Sequence, residues 1–119
     1  MERGIHNPEV IDEVAFDHDS DEMALIMYAT AKWSDIDTRI AELQNKISKY
    51  VEFAAGGQLA EEFPDRSDCK VRFQLNCAYL PNEKMMLFLE RINDVLTKGG
   101  MRLLVNCTEA EDETPKKNQ

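Results

Sequence analysis

The sequence predicts a two-layer α+β domain, in which two helices pack on one face of a four-stranded mixed sheet in the order ββαβαβ. Two segments, 36–54 and 85–96, repeat apolar residues at the three- and four-residue spacing of a helix face. Two others, 69–77 and 101–107, alternate apolar and polar residues, as a strand with one buried face does. Because each of these four segments has one apolar face, a layer of helices on a layer of strands buries all four apolar faces.

The first two strands are predicted to form a β-hairpin near the N-terminus. Apolar residues between Val10 and Phe16 predict the first strand, and the apolar run 23–28 predicts the second. The segment 17–22 between them is entirely polar and predicts the turn. Since the run 23–28 is nearly continuous in apolar character, we expect both of its faces to be covered, which favours a central strand or a face shared with a partner.

The longest periodic signal predicts a helix after Trp33. Ser34 precedes Asp37 by three residues, the spacing of a capping box, so the helix is expected to begin at about Asp35. Two glycines at 56–57 end it, because glycine accepts the left-handed conformation that follows many helices. The apolar stripe consists of Ile36, Ile40, Leu43, Ile47, Tyr50, Val51 and Ala54. The polar side consists of Asp37, Arg39, Glu42, Gln44, Asn45, Lys46, Ser48 and Lys49.

The second half of the chain predicts a strand, a helix and a further strand, after a short extra turn at 58–64. Asn82 is expected to cap the helix, which ends at the glycines 99–100. The third and fourth strands are joined through this helix, which makes them parallel neighbours by a right-handed crossover. The sheet face that the helices leave open is then expected to display Lys70, Arg72, Gln74, Arg102, Leu104 and Asn106.

The 119 residues predict a single domain at 9–108, with a flexible N-terminus at 1–8 and a disordered charged tail at 109–119. No apolar run approaches the roughly 20 residues of a membrane-spanning helix, and the first residues lack the apolar segment of a secretory signal. We therefore expect a cytoplasmic protein that has no membrane contact. Three cysteines, Cys69, Cys77 and Cys107, lie in strand-like runs and are expected to be reduced and buried.

The charge balance restricts the class of partner. A formal charge of −9, from 23 acidic and 14 basic residues, argues against nucleic-acid binding, which depends on cations that neutralise phosphates. The same charge attracts basic proteins at long range and also keeps a small protein soluble. We therefore expect the partner, if there is one, to be a basic protein.

No catalytic, metal or cofactor site emerges from the residue pattern. Asp17, Asp19 and Asp21 occupy alternate positions of a calcium loop, but the glycine and the closing glutamate of such a loop are replaced by Glu22 and Tyr28. The two histidines lie in terminal and turn segments, so a Cys–His nucleophile is not expected. The sequence predicts a protein that is not an enzyme and needs no cofactor.

Trp33, the only tryptophan, directly precedes the predicted capping residue. This position favours a hydrophobic staple, in which the indole packs on Ile36 or Ile40. The alternative is an exposed anchor for a partner, since tryptophan is enriched in interface hot spots.

Five runs of residues resemble a family of small bacterial proteins known only as a domain of unknown function. They are Asn-Pro-Glu-Val-Ile-Asp at 7–12, Trp-Ser-Asp at 33–35, Leu-Gln-Asn-Lys-Ile at 43–47, Tyr-Val-Glu-Phe at 50–53 and Gly-Gln-Leu-Ala-Glu-Glu-Phe-Pro at 57–64. The resemblance covers roughly residues 7 to 80 and concerns framework residues. It implies a bacterial or phage origin and one compact domain, and it implies no activity.

Two hypotheses about function follow from the size, the charge and the missing catalytic set. The first is a non-enzymatic acidic protein-interaction domain, an immunity- or antitoxin-like inhibitor that binds a basic bacterial effector. Its partner-binding residues would be Asp17, Asp19, Asp21, Glu22, Glu61, Glu62 and Asp65. The alternative is a structural homodimer or assembly subunit that pairs through its open sheet face or an edge strand. That interface would include Ile26, Tyr28 and Leu104.

Overall fold

Four strands and three helices make up the part of the chain that the computed structural model describes, residues 2–107, and they confirm the α+β class. In chain order the elements are β1 (Glu13–Asp17), β2 (Glu22–Ala29), α1 (Ile36–Ala55), α2 (Gln58–Glu62), β3 (Lys70–Cys77), α3 (Glu83–Lys98) and β4 (Arg102–Cys107). A 3₁₀ turn, Pro64–Arg66, connects α2 to β3. The helix count is one higher than predicted, because the extra turn expected at 58–64 forms a short helix of its own. The tail predicted at 109–119 lies outside the described residues.

The sheet is mixed, with the strand order β1-β2-β3-β4. β1 and β2 are antiparallel, as expected for the hairpin, whereas β2 pairs with β3 and β3 with β4 in parallel. β2 is therefore internal, which agrees with its nearly continuous apolar character, and its residues Leu25 and Met27 have no exposed surface. The first strand is shorter than predicted and begins at Glu13.

The core lies between one face of the sheet and the helices. Alternate residues of β2 and β3, among them Met23, Leu25, Phe73 and Leu75, belong to the same buried cluster as residues of α1 and α3. The intervening residues of β2, Ala24 and Ile26, are outside this cluster and lie on the opposite face, which we call the open face. The helical side chains of the cluster are Leu43, Ile47, Tyr50, Phe53, Leu59, Met85, Leu89 and Leu96.

The two long helices begin differently. Asn82 caps α3 as predicted, because its backbone is extended and its side-chain oxygen accepts a hydrogen bond of 2.9 Å from the Met85 N–H. The capping box predicted at Ser34 and Asp37 is wrong, since α1 begins at Ile36 and its N-cap residue is Asp35, without a side-chain cap. Asp35 has a left-handed backbone with φ of 53°, whereas a capping box needs an extended N-cap residue.

Trp33 is a buried residue and not an exposed anchor. Its side chain belongs to the core cluster, and 8% of the residue surface is exposed. The indole N–H donates a hydrogen bond of 2.7 Å to the Tyr79 carbonyl oxygen in the loop after β3. Trp33 therefore joins the segment before α1 to the segment before α3.

The N-terminal segment, for which the sequence predicts flexibility at 1–8, contacts the sheet at Ile5. Ile5 belongs to the core cluster, and its N–H donates a hydrogen bond of 3.0 Å to the Tyr28 carbonyl oxygen. The Gly4 N–H bonds to both carboxylate oxygens of Asp12, at 3.1 Å each. None of the helices within residues 2–107 is long and apolar enough to cross a membrane.

Candidate functional site

The hairpin turn and the segment before β3 meet at one end of the sheet. Glu22 at the start of β2 pairs with Lys70 at the start of β3, and the Arg66 guanidinium lies 3.7 Å from the centre of the Phe16 ring. Six exposed carboxylates lie in these two segments, and we call the five of them that the sequence predicted to bind a partner, all except Asp68, the acidic end. They are Asp19, Asp21, Glu61, Glu62 and Asp65.

The turn that carries Asp19 and Asp21 is held by Asp17. The Asp17 carboxylate accepts hydrogen bonds from the N–H groups of Asp19, at 2.9 Å, and Ser20, at 3.4 Å. The Asp21 N–H donates a bond of 2.8 Å to the Asp17 carbonyl, and Asp21 itself is left-handed with φ of 59°. Because aspartate tolerates this conformation better than most residues, the turn closes without glycine.

Two of the seven acids predicted to bind a partner, Asp17 and Glu22, form ion pairs with arginines of the same chain. One terminal nitrogen of Arg72 lies 2.7 Å from Asp17 and 3.0 Å from Glu22. Arg102 binds both Glu22 carboxylate oxygens, at 2.8 and 2.9 Å, in the bidentate geometry of a strong ion pair. Glu22 also accepts a bond of 2.9 Å from the Ser20 hydroxyl, and only 7% of its surface is exposed.

The arginines keep both acids ionised. The hydrogen bond from Arg72 lowers the pKa of the Asp17 carboxyl to about 2. Hydrogen bonding by Arg102 is the main cause that lowers the pKa of Glu22 to about 2, against a desolvation effect that raises it. These four residues form a charged network at the margin of the acidic end, and this network orients the turn.

The alternative interface residues lie on the open face but differ in exposure. Ile26 pairs with Gln74, which in turn pairs with Leu104, so the three form one row across the sheet. Ile26 is nevertheless buried, with 8% of its surface exposed, and it lies on the internal strand between Glu13 of β1 and Gln74 of β3. Tyr28 is half-buried, and its hydroxyl donates a hydrogen bond to Glu13, which raises the pKa of the tyrosine. Leu104 alone is exposed.

Lys46 is the largest departure from the sequence analysis. Its predicted place was the polar side of the first helix, yet its side chain and that of Asp12 have no exposed surface. The Lys46 Nζ lies 2.7 Å from Asp12 Oδ1, 2.6 Å from the Asn7 carbonyl oxygen and 2.7 Å from the Val10 carbonyl oxygen. The ion pair thus fastens the N-terminal segment to α1.

Asp12 also joins this pair to the sheet. Its carboxylate accepts a bond of 3.0 Å from the Tyr28 N–H, and its own N–H donates a bond of 2.8 Å to the Tyr50 hydroxyl. The Tyr50 hydroxyl donates in turn to the Ile26 carbonyl, at 2.6 Å, and burial raises its pKa. The sequence signal for this network is the placement of Lys46 beside Ile47 and four residues before Tyr50, near the apolar stripe.

A second exposed feature lies beside β4, at the edge of the sheet. The outward side of α3 and the helix-facing side of β4 enclose a groove of about 380 Å³. We call it the apolar groove, and its main lining residues are Leu80, Met86, Leu89, Leu103, Val105 and Cys107. Val105 is 38% exposed and Met86 51% exposed, although the alternation in the sequence predicted a buried face for this strand. The cover is incomplete because β4 has a neighbour on only one side.

The three cysteines differ in burial. All three cysteines are free, Cys77 is buried, and Cys69 and Cys107 are half-buried. Burial raises the pKa of the Cys77 thiol to about 12, which makes it a poor nucleophile at neutral pH. Within residues 2–107 no group of three or more histidine, cysteine, aspartate or glutamate residues is placed to hold a metal ion.

Fold and surface together define a small α+β domain with a mixed sheet, an acidic end, and an apolar groove beside its last strand. The chain belongs to a family of unknown function, DUF6572, whose sequence model matches residues 3–109. This match confirms the resemblance to a family of unknown function and extends it at both ends. Comparison with curated proteins and with solved structures gives no match.

Proposed function

We propose that this protein is a non-enzymatic interaction domain that binds a basic bacterial protein through its acidic end, as a cytoplasmic immunity- or antitoxin-like inhibitor does. The observation that supports it best is the meeting of the hairpin turn and the 58–66 segment at one end of the sheet. Carboxylates from two separate parts of the chain thereby share one surface. The same segments carry two exposed cations, Arg66 and Lys70, so negative charge is in excess there without being the sole charge. An excess of one sign of charge speeds the encounter with a partner of the opposite sign.

The five acids of the acidic end differ from Asp17 and Glu22 in their partners. Asp17 and Glu22 are neutralised by Arg72 and Arg102. Among the ion pairs formed within residues 2–107, none includes a member of the acidic end. These carboxylates therefore remain available to lysine and arginine side chains of another protein.

The hairpin part of the acidic end is also preorganised. Asp17 fixes the turn through backbone hydrogen bonds, and Arg72 reaches Asp17 from β3, on the other side of β2, at 2.7 Å. A rigid turn loses little conformational freedom when it binds, so more of the electrostatic attraction is retained as affinity. The net charge of −9 adds a long-range component that salt weakens.

The experiment measures the rate at which the protein associates with the basic partner isolated from the native host. The test variant combines Asp19→Lys with Glu61→Lys, two exposed positions of the acidic end. We expect its association rate to fall by about tenfold or more at low salt, and the salt dependence of the rate to become flatter.

A matched control combines Asp37→Lys with Glu83→Lys, which changes the net charge by the same amount. Asp37 and Glu83 are exposed and lie at the starts of α1 and α3, beyond the opposite ends of β2 and β3. Asp37 pairs with Lys84 at 2.6 Å, and because both side chains are exposed the loss of this pair changes stability little. We expect the control to lower the rate far less than the test variant. Equal effects of the two variants, or rates insensitive to ionic strength, contradict binding through the acidic end.

A further inference from the structure

The protein itself supplies a partner to one of the three outward N–H groups of β4. The Leu103 N–H donates a hydrogen bond of 2.9 Å to the Asn93 side chain of α3 and so faces away from β3. Because the backbone groups of successive strand residues point to opposite sides, Val105 and Cys107 face outward in the same way. No other side-chain hydrogen bond within the described chain reaches the β4 backbone. Within residues 2–107 the N–H groups of Val105 and Cys107 therefore have no partner, and they can pair with another strand.

The surroundings of this edge are apolar and almost uncharged. Of the residues that line the apolar groove, only Glu90 is ionisable at neutral pH, and Arg102 of β4 is already paired with Glu22. The opposite edge of the sheet, β1, carries Glu13 and Asp17. Two copies of a chain with a charge of −9 repel one another, and the residues that would meet at β4 add little to this repulsion because few of them are charged.

We propose that β4 pairs antiparallel with β4 of a second copy, around a two-fold axis that passes beside Val105. In this register Val105 faces Val105 of the second copy, and Leu103 faces Cys107 of the second copy. Both pairs lie on the helix side of the sheet, where apolar side chains favour cross-strand contact. On the open face, Leu104 faces Asn106 of the second copy, and no two like charges are opposed within β4.

The bounds of β4 select this register over its neighbour. With the axis beside Val105, the outward N–H groups of Val105 and Cys107 in both copies form about four backbone hydrogen bonds with the carbonyls of Val105 and Leu103 of the other copy, while the Leu103 N–H stays bonded to Asn93. An axis beside Leu104 would place Cys107 opposite Met101, which precedes β4, so only the Val105 N–H groups would meet a residue of the strand. A register shifted by a single residue in one copy places apolar side chains on the wrong face.

The pairing has two consequences for the assembled molecule. The two four-stranded sheets become one continuous sheet, and each copy covers the apolar groove of the other. Since the paired strands run in opposite directions, the two acidic ends lie at opposite ends of this sheet and stay accessible. Self-association and binding of a basic partner can therefore be tested separately.

The test is sedimentation of the full chain over a series of concentrations. We expect the wild-type protein to reach twice the chain mass of 13.7 kDa. Val105→Lys should raise the dissociation constant of the dimer at least tenfold, because a lysine on an edge strand opposes pairing. Val95→Lys is the matched control, at a residue of α3 that is 65% exposed and does not line the apolar groove, and it should leave the dimer intact.

A second measurement needs no variant and reports the register. Amide hydrogen exchange of the wild-type protein should show Val105 and Cys107 becoming protected as concentration rises, while Met27 in the internal strand β2 stays equally protected throughout. A monomer throughout the concentration series, a dimer unaffected by Val105→Lys, or protection at these two amides that does not depend on concentration overturns the proposal. Pairing of β4 with a different protein would give the first of these results.

Discussion

Replacing Lys46 with methionine removes a buried charge and keeps most of the side-chain volume. The ammonium group lies within 2.7 Å of three acceptors, which are the Asp12 carboxylate and the carbonyl oxygens of Asn7 and Val10. Lys46→Met leaves all three without this donor and leaves the Asp12 carboxylate buried without its cation. Asp12 retains its bonds from the Gly4 and Tyr28 N–H groups, which limits the loss.

Breaking a buried ion pair by removing one partner costs about 3–5 kcal/mol. Both side chains of this pair have no exposed surface, so solvent does not replace the lost contacts. A typical domain has a total stability of about 5–15 kcal/mol, and the variant is therefore expected to lose a large part of it. With a urea dependence of about 2 kcal/mol per molar, the midpoint of unfolding should fall by roughly 1.5–2.5 M.

The assay is urea unfolding followed by the fluorescence of Trp33, the only tryptophan, which is buried in the folded protein. Lys49→Met is the matched control, since Lys49 lies on the same helix and is exposed. The control should change the free energy of unfolding by no more than about 0.5 kcal/mol. Asp12→Asn combined with Lys46→Met should be less destabilised than the sum of the single variants, because neither charge is then left alone.

A urea midpoint of Lys46→Met equal to that of Lys49→Met would contradict a stabilising role of the buried Lys46 ammonium group. Equal midpoints would mean that the ammonium group is solvated in the folded protein. Strict additivity of the Asp12 and Lys46 variants would show that the two groups do not interact.

Three further predictions concern the core, the charged network and the cysteines. Leu43→Asp should abolish folding, measured by circular dichroism, because Leu43 has no exposed surface and a carboxylate there would be buried without a partner; a native spectrum would refute this. The pKa of Glu22 is lowered to about 2 from 4.5, so its contribution to stability is complete above pH 5 and is lost as the pH falls toward 2. Glu22→Gln should therefore be less stable than wild type at pH 7 and should show a flatter loss between pH 5 and 2, whereas parallel curves would exclude the network as the cause. Cys77 should react more slowly with a thiol reagent than Cys69 or Cys107, because it is buried and its pKa is raised to about 12; equal rates at all three would contradict its placement.

The sequence by itself determined the fold class and the main elements, because these depend on local patterns. The two-residue alternation of β3, the long stripe of α1 and the cap at Asn82 are each contained in a short stretch of chain. The nearly continuous apolar run of β2 also indicated its internal position in the sheet. A periodic pattern shows which residues share a face, and burying those faces leaves few arrangements of the elements.

Only the tertiary structure decided which charges are paired. Glu22 binds Arg72 and Arg102, which are 50 and 80 residues away along the chain, and Lys46 binds Asp12 at a separation of 34. These contacts depend on strand register and on the path of the N-terminal segment. The spacing of apolar residues along a helix or a strand indicates neither of them. For the same reason the acids at 17 and 22 could not be distinguished from those at 19 and 21 by sequence. Exposure of Val105 likewise follows from its place on an edge strand, which is a property of the assembled sheet and not of the strand's own residues.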